Sequence, residues 1–331
     1  MNTDVEEIGL SKLTDILESA ITGVPAPVRK NFLKALGQLC TAAVDLPVAW
    51  LEGKSDEIRA NTKARVQIIE KGGHTISEQI IVPQEYIDKA SIKFASKIIK
   101  EQSNLDQITL IAANELTNKE IKSKAAPADD ISEDWLNEFE NLARLKSSES
   151  MKFIFGKILS SEIVKPGSFS IKTLKVISQL DNEAAKLFQL FCSQTISMRV
   201  SNHIFDARVV SFDGSAASNS LQKYGLSFSS LNILQEYGLI ISDYNSSMEY
   251  SPCIAIEQNQ AIAILRYRNK NFTLVSTDLE KHDKTLKLNG VALTNAGQEL
   301  LDVILPANDN NYETEFLEFL KKKHLELVEI N

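Results

Sequence analysis

Cysteine is scarce in this sequence: Cys40, Cys192 and Cys253 lie far apart and are odd in number. With no CxxC pair, a zinc knuckle and a disulfide framework are both excluded, and buried, reduced thiols are expected. Histidine is almost as rare, with His74, His203, His282 and His324 all outside metal-ligand spacing of one another and of any cysteine. Glycine-rich phosphate loops, the dinucleotide-binding glycine pattern, a GxSxG elbow and HExxH are all missing. No long apolar run survives inspection either. The least polar window, Phe32 to Leu51, is interrupted by Lys34, Asp45 and Pro47, and a charge at the centre of a bilayer costs roughly 2.5–3.5 kcal/mol. Positive charge is also in deficit: 36 Lys and Arg stand against 44 Asp and Glu, a net −8. Binding to nucleic acid through phosphate neutralisation is therefore not expected of the chain as a whole. The first residues, MNTDVEEIGL, are acidic and lack the basic-then-apolar layout of a signal peptide, so a cytoplasmic location is expected.

What is present is an ordinary globular balance, 43% hydrophobic and 24% charged over 331 residues, long enough for two domains. The chain divides by pattern. Residues 1–118 read as a helical N-terminal segment. Leu13, Ile16, Leu17 and Ala20 recur at helical spacing before Gly23, Pro25 and Pro27 break the run. The window from Phe32 to Leu51 reads as a buried or partner-facing helix, with membrane contact as the alternative; Phe32, Leu36, Leu39, Val44 and Trp50 are its contact residues in either case. Mixed signs at Glu57, Arg59, Lys63 and Arg65 give a solvated helix. Ile87, Ser91, Phe94, Ile98 and Leu105 line a second long helix, from Gln84 to about Leu116. Residues 119–130, with Ala125-Ala126-Pro127, form a linker.

Residues 131–210 read as a central helical bundle, four short amphipathic helices within Ile131 to Thr195. Ser132, Ser148 and Asp181 are helix-capping residues, with Glu133, Asp134 and Glu149 where the helix dipole favours acids. Trp135, Phe139 and Leu142 share one face, and Met151, Ile154, Phe155, Ile158 and Leu159 another. Pro166-Gly167 stops the second helix. From 211 to 331 the texture becomes mixed. Ser229 to Tyr237 is a helix, Ile262 to Tyr267 and Phe272 to Val275 are strands joined through Asn269-Lys270-Asn271, and Thr294 caps a helix over Ala296 to Ile304. A final helix runs from Tyr312 to Leu327. The expected fold is mainly α, with a C-terminal winged-helix-like α+β module.

Candidate chemistry is thin. His203 and Asp206 fall on a shared helix face, a surface or locally hydrogen-bonded pair with no nucleophile near it in sequence. Glu138, Glu149 and Glu162 lie on the middle helices as solvated acids, although Glu162, just before the Pro-Gly break, can instead satisfy backbone amides of the following turn. Arg266, Arg268 and Lys270 are the cationic group of the wing and the candidate nucleic-acid contact. The neighbouring helix offers Asn232 and Gln235 to base edges but no Arg or Lys, and a structural or protein-binding wing is favoured. No catalytic, cofactor or metal residue is assigned.

The middle block, Asp134-Trp135 with Phe139, Gly156-Lys157-Ile158-Leu159-Ser160-Ser161-Glu162 and Lys165-Pro166-Gly167-Ser168-Phe169-Ser170, resembles a bacterial family, the domain of unknown function 2806. Gly9-Leu10-Ser11-Lys12-Leu13 and Leu293-Thr294-Asn295-Ala296-Gly297 look similar to its ends. The same motifs are similar to abortive-infection (Abi-alpha-like) proteins. The resemblance implies a bacterial cytoplasmic protein tied to phage defence and carries no catalytic residues. The expectation is a non-enzymatic interaction protein, without cofactor, that self-associates or binds a protein partner. A membrane-perturbing effector using residues 32–51 and a DNA-binding regulator are the alternatives.

Overall fold

The computed structural model describes residues 16, 17, 19, 20, 22, 24–40, 84–118, 129–201, 203–255, 261–278, 285–305 and 310–330. The chain divides into two compact units, Met1–Leu174 and Lys175–Asn331. The expected solvated helix around residues 55–70 lies outside the described residues, as does all of the linker except Asp129 and Asp130.

The first unit is helical: α1 (Ala26–Leu39), α2 (Gln84–Asn118), α3 (Glu133–Ala143), α4 (Glu149–Val164) and the start of α5 (Ile171–Gln179). Its boundaries follow from local chemistry. Ser132 and Ser148 accept hydrogen bonds from the amides of Trp135 and Met151, 3.5 and 3.4 Å away, the capping roles their sequence positions imply. Apolar stripes on α1, α2 and α4 pack together and bury Phe32, Leu36, Leu105, Ile108, Phe155 and Ile158. Each such side chain contributes roughly 1.5–3 kcal/mol by leaving water. Gly156 sets how closely α4 approaches α2, because a Cβ there would lie 2.5 Å from Ile111 Cγ2. Asn31 is buried but satisfied: it accepts from the Ile131 amide at 3.0 Å and donates to the Asp129 and Ile163 carbonyls.

The second unit opens with α6 (Asn182–Gln194), capped by Asp181 at 2.8 Å from the Ala184 amide. Strands β1 (Ile196–Val200) and β2 (His203–Val210) follow, then α7 (Phe228–Glu236), β3 (Ser246–Glu249), β4 (Ile254–Ala255), β5 (Ile264–Tyr267), β6 (Lys270–Ser276), β7 (Lys287–Ala292), α8 (Asn295–Leu301), α9 (Asn310–Lys322) and β8 (Leu325–Ile330). The strands make one eight-stranded sheet in the order β3-β7-β2-β1-β5-β6-β4, with β8 also paired to β6. Among the described residues only the short β4–β6 pairing is parallel. Thr294 caps α8, accepting from the Gly297 amide at 3.2 Å. Tyr312 on α9 closes one end of β2, its hydroxyl accepting from the Val210 amide at 2.7 Å.

This sheet overturns the mainly-α expectation. The helical block expected over 131–210 stops at Gln194, and Ile196 to Val210 form an antiparallel hairpin. Its apolar residues alternate with polar ones at period two, as in Ile196-Ser197-Met198-Arg199-Val200, which a helix cannot bury on one side. The winged-helix-like module fails for a related reason. The β5–β6 hairpin, which turns at Arg268-Asn269 with both residues at positive φ, is no peripheral wing. It is flanked by β1 on one side and β8 on the other. The helix expected from Tyr312 to Leu327 likewise ends at Lys322, and its last residues enter β8.

Candidate functional site

Helix α2 is asymmetric along its length. Its C-terminal half is core, with Leu105, Ile108, Ala112 and Leu116 buried. Its first half is not: of the described side chains from Glu85 to Lys100, all are exposed apart from the half-buried Ile98. Tyr86 (65%), Ile92 (69%), Phe94 (61%) and Ile99 (68%) are among the most exposed large apolar residues of the described chain. Phe94 and Leu105, read from sequence as one stripe, thus have opposite fates. Four lysines lie among the polar side chains here, beside Glu85, Asp88, Ser91 and Ser96. Lys89 pairs with Glu85 at 2.6 Å, an exposed one-turn pair worth roughly 0.3–0.5 kcal/mol, and Lys97 lies 3.7 Å from the half-buried Glu101.

The apolar window at 32–51 is placed differently. Phe32, Leu36 and Leu39 are fully buried on α1, so they face the unit's own core, whereas Val44 and Trp50 lie outside the described residues. Among the described residues no helix is long and apolar enough to cross a membrane.

The cationic group of the second unit is drawn into ion pairs. Arg266 lies 3.7 Å from Asp302, Arg268 bonds Glu313, and Lys270 meets Glu329 at 2.8 Å. Arg199, on the neighbouring β1, forms a two-pronged pair with Asp302 at 2.7 and 2.9 Å. Arg199, Arg266 and Arg268 surround a shallow depression together with Cys192, Ser197, Asn269 and Asp302, with a cavity volume near 20 Å³. That is room for about one water, far below the roughly 300 Å³ of a small-molecule site. Burial and the neighbouring Arg199 pull the Arg266 guanidinium below the usual arginine pKa, against the opposing charge of Asp302. Burial, and then the Asp302 charge, push the Cys192 thiol well above its ordinary value. It therefore stays protonated and is no nucleophile. Cys40 and Cys253 are likewise free and buried, the latter thiol pushed up to about 12 by burial.

Sequence reasoning missed the most elaborate polar cluster. Asp206 and Arg208, two residues apart on β2 and so on one face of the sheet, form a buried bidentate pair at 2.5 and 2.7 Å. The remaining Arg208 nitrogen donates to the Ser246 and Leu288 carbonyls at 2.9 and 3.1 Å. The Tyr250 hydroxyl lies 2.8 Å from Asp206. Burial and the adjacent carboxylate push the Tyr250 phenol well above its usual range, so it remains a neutral donor. Burial lowers the Arg208 pKa, but the hydrogen bonds and charge of Asp206 outweigh it and hold it above the ordinary value. Every charge is matched, which makes this a structural clasp joining β2, β3 and β7. The signal for it was the Asp-x-Arg spacing within a period-two run. His203, read as sharing a helix face with Asp206, is exposed on a strand while Asp206 turns inward.

Glu162 does what its position before the Pro-Gly break suggested. It is 2% exposed, and its carboxylate accepts from the Gly167 amide at 2.6 Å and the Phe169 amide at 3.0 Å. Gly167 is at φ +81°, the left-handed turn that glycine adopts without strain. Trp135 donates its indole N–H to the Phe169 carbonyl at 2.8 Å, so the quoted Lys165 to Ser170 motif is a turn held from both sides. Among the described residues no group of three His, Cys, Asp or Glu side chains is placed to hold a metal.

A family model described as protein of unknown function (DUF2806) matches residues 88–317. The match takes in the exposed part of α2 from Asp88, the Glu162 turn and most of the sheet. No curated protein and no solved structure matches the chain.

Proposed function

Starting from a chain that belongs to the DUF2806 family, we propose that this is a non-enzymatic interaction protein of bacterial anti-phage defence, working in the cytoplasm through helical surfaces and self-association. The observation that carries the reading is the exposed half of α2, where Ile92, Phe94 and Ile99 are each more than half exposed on a helix whose other half is core. Scattered apolar side chains on a surface need no explanation, but several on successive turns of one helix mark a contact surface. The defence role rests on the similarity of the Lys165 to Ser170 turn and its flanking helices to abortive-infection proteins.

The test is photo-crosslinking in living cells with a benzophenone side chain at position 94 or 99, and at the exposed Phe205 of β2 as control. Adducts at 94 and 99, to protein or to lipid, but not at 205 are expected. Absence of adducts at both positions overturns the interaction reading. Phage plating on cells with and without the protein tests the defence role. Protection that is lost with Phe94→Ser and Ile99→Ser supports it, and plating equal in all strains across a phage panel overturns it.

A further inference from the structure

The exposed half of α2 has a second property, its charge. Over the exposed half, Glu85 to Lys100, four lysines stand against Glu85 and Asp88, a local +2 inside a chain of net −8, and all four lysines fall in the carboxylate-free stretch KASIKFASKIIK from Lys89 to Lys100. With 3.6 residues per turn, Lys89, Lys93, Lys97 and Lys100 fall within an arc of about 80°. Ile92, Phe94, Ala95, Ile98 and Ile99 fall within about 160° on the other side. These side chains are exposed, with Ile98 half-buried. Among the described residues Lys93 and Lys100 have no carboxylate partner; the pair of Lys89 is local and exposed, and Lys97 reaches the half-buried Glu101, which also faces Arg144.

We propose that this half of α2 docks on the surface of an anionic membrane, lying in the interface with its isoleucines and Phe94 among the acyl chains and its lysines at the phosphates. The proposal rests on the reading of this helix as a contact surface and names what it contacts. A helix of this kind, apolar on one face and lysine-rich on the other, gains from both the buried apolar area and the negative surface potential. A second copy and a nucleic acid each use only one face. A second copy laid on the apolar side covers Ile92 and Ile99 but gives the lysine row no role, and it brings two such rows close together. A nucleic acid on the lysine row leaves Ile92, Phe94 and Ile99 in water. An anionic lipid surface satisfies both, and it requires no spanning segment.

The experiment is flotation of the full-length protein with vesicles of phosphatidylglycerol and phosphatidylethanolamine, and with vesicles of phosphatidylcholine alone. The expected result is binding to the anionic vesicles, little to the neutral ones, and loss as salt is raised. Each lysine near an anionic surface contributes about fivefold in partitioning, so Lys93→Gln with Lys97→Gln lowers it about 25-fold. Ile92→Ser with Ile99→Ser lowers binding even at low salt. All four positions are exposed, and circular dichroism confirms that each variant is folded. Equal binding to both vesicle types, or binding unmoved by the lysine substitutions, overturns the proposal. Absence of vesicle binding while positions 94 and 99 still crosslink to protein also overturns it and leaves the interaction reading standing; loss of both removes both.

Discussion

Replacing Asp206 by alanine removes the carboxylate but leaves the Arg208 side chain, 2% exposed, in the same place. Arg208 keeps only the carbonyls of Ser246 and Leu288, and Tyr250 loses its acceptor on β2. An uncompensated buried charge of this kind costs about 3–5 kcal/mol. For a unit of this size one kcal/mol moves the melting temperature by about 2–4 °C, so the expected fall is on the order of 6–20 °C. Scanning calorimetry suits the measurement, because the two units can melt separately and only the transition of the sheet-bearing unit should move. Asp206→Asn keeps the shape and one acceptor and should fall less. Removing both charges together, Asp206→Leu with Arg208→Met, should be more stable than Asp206→Ala alone, since the stranded guanidinium is then gone. A shift of under about 2 °C for Asp206→Ala would refute the reasoning, because it would mean that water reaches Arg208.

Other positions give independent checks. Gly156→Ala gains up to about 1 kcal/mol in helix propensity. It nevertheless sets a methyl against Ile111 Cγ2 and Cβ, 2.5 and 2.7 Å away, and overpacking of about 1–3 kcal/mol wins, so urea unfolding should show a net loss. Glu162→Ala strands the Gly167 and Phe169 amides and should cost about 1–3 kcal/mol, with Glu162→Gln milder because one acceptor oxygen remains. Faster hydrogen exchange at those two amides is the diagnostic readout. Glu249 carries a pH dependence. Its pKa is held below the usual value, mainly by the Ser251 hydroxyl, with the Leu286 and Ser251 amides and Lys287 adding to this against the effect of burial. A depressed carboxylate stabilises fully above its unfolded pKa of about 4.3, and the contribution fades as pH falls through the lower folded value. The stability difference between wild type and Glu249→Gln should therefore be present at pH 6 and shrink at acid pH. A difference that does not change with pH would refute it.

Helix ends and turns could be read from the sequence because their chemistry is local. Ser132, Ser148, Asp181 and Thr294 each cap within three residues, and Glu162 binds amides five and seven residues on. The sheet could not be read the same way. β1 pairs with β5 some seventy residues later, Ile196 opposite Tyr267, and no short window contains that information. The hairpin at 196–210 falls in the part of the expected bundle, 131–210, that lies beyond its four helices. Period two over five and eight residues was present there, but the helices just upstream set the expectation.

The candidate sites divide along the same line. Arg266, Arg268 and Lys270 stand out in sequence as a run of positive charge. Their partners Asp302, Glu313 and Glu329 arrive from 36, 45 and 59 residues away, so a sum of nearby charges overstates what the surface presents. For α2 the opposite holds. A helix places its side chains by residue spacing alone, and the nearest carboxylates, Asp88 and Glu101, directly flank the Lys89 to Lys100 segment, with Glu85 one turn further out. There the local charge count is a direct reading of the surface. Whether an isoleucine on that helix is core or contact is a non-local matter, however. Leu105 and Phe94 share a stripe in the sequence, yet one is 4% and the other 61% exposed. The difference is set by where α1, α3 and α4 pack along α2, and Gly156 shows how tightly. The proposed contact surface is therefore the part of a legible amphipathic helix that the described residues leave uncovered, and its boundary near Lys100 is a property of the packing rather than of the helix.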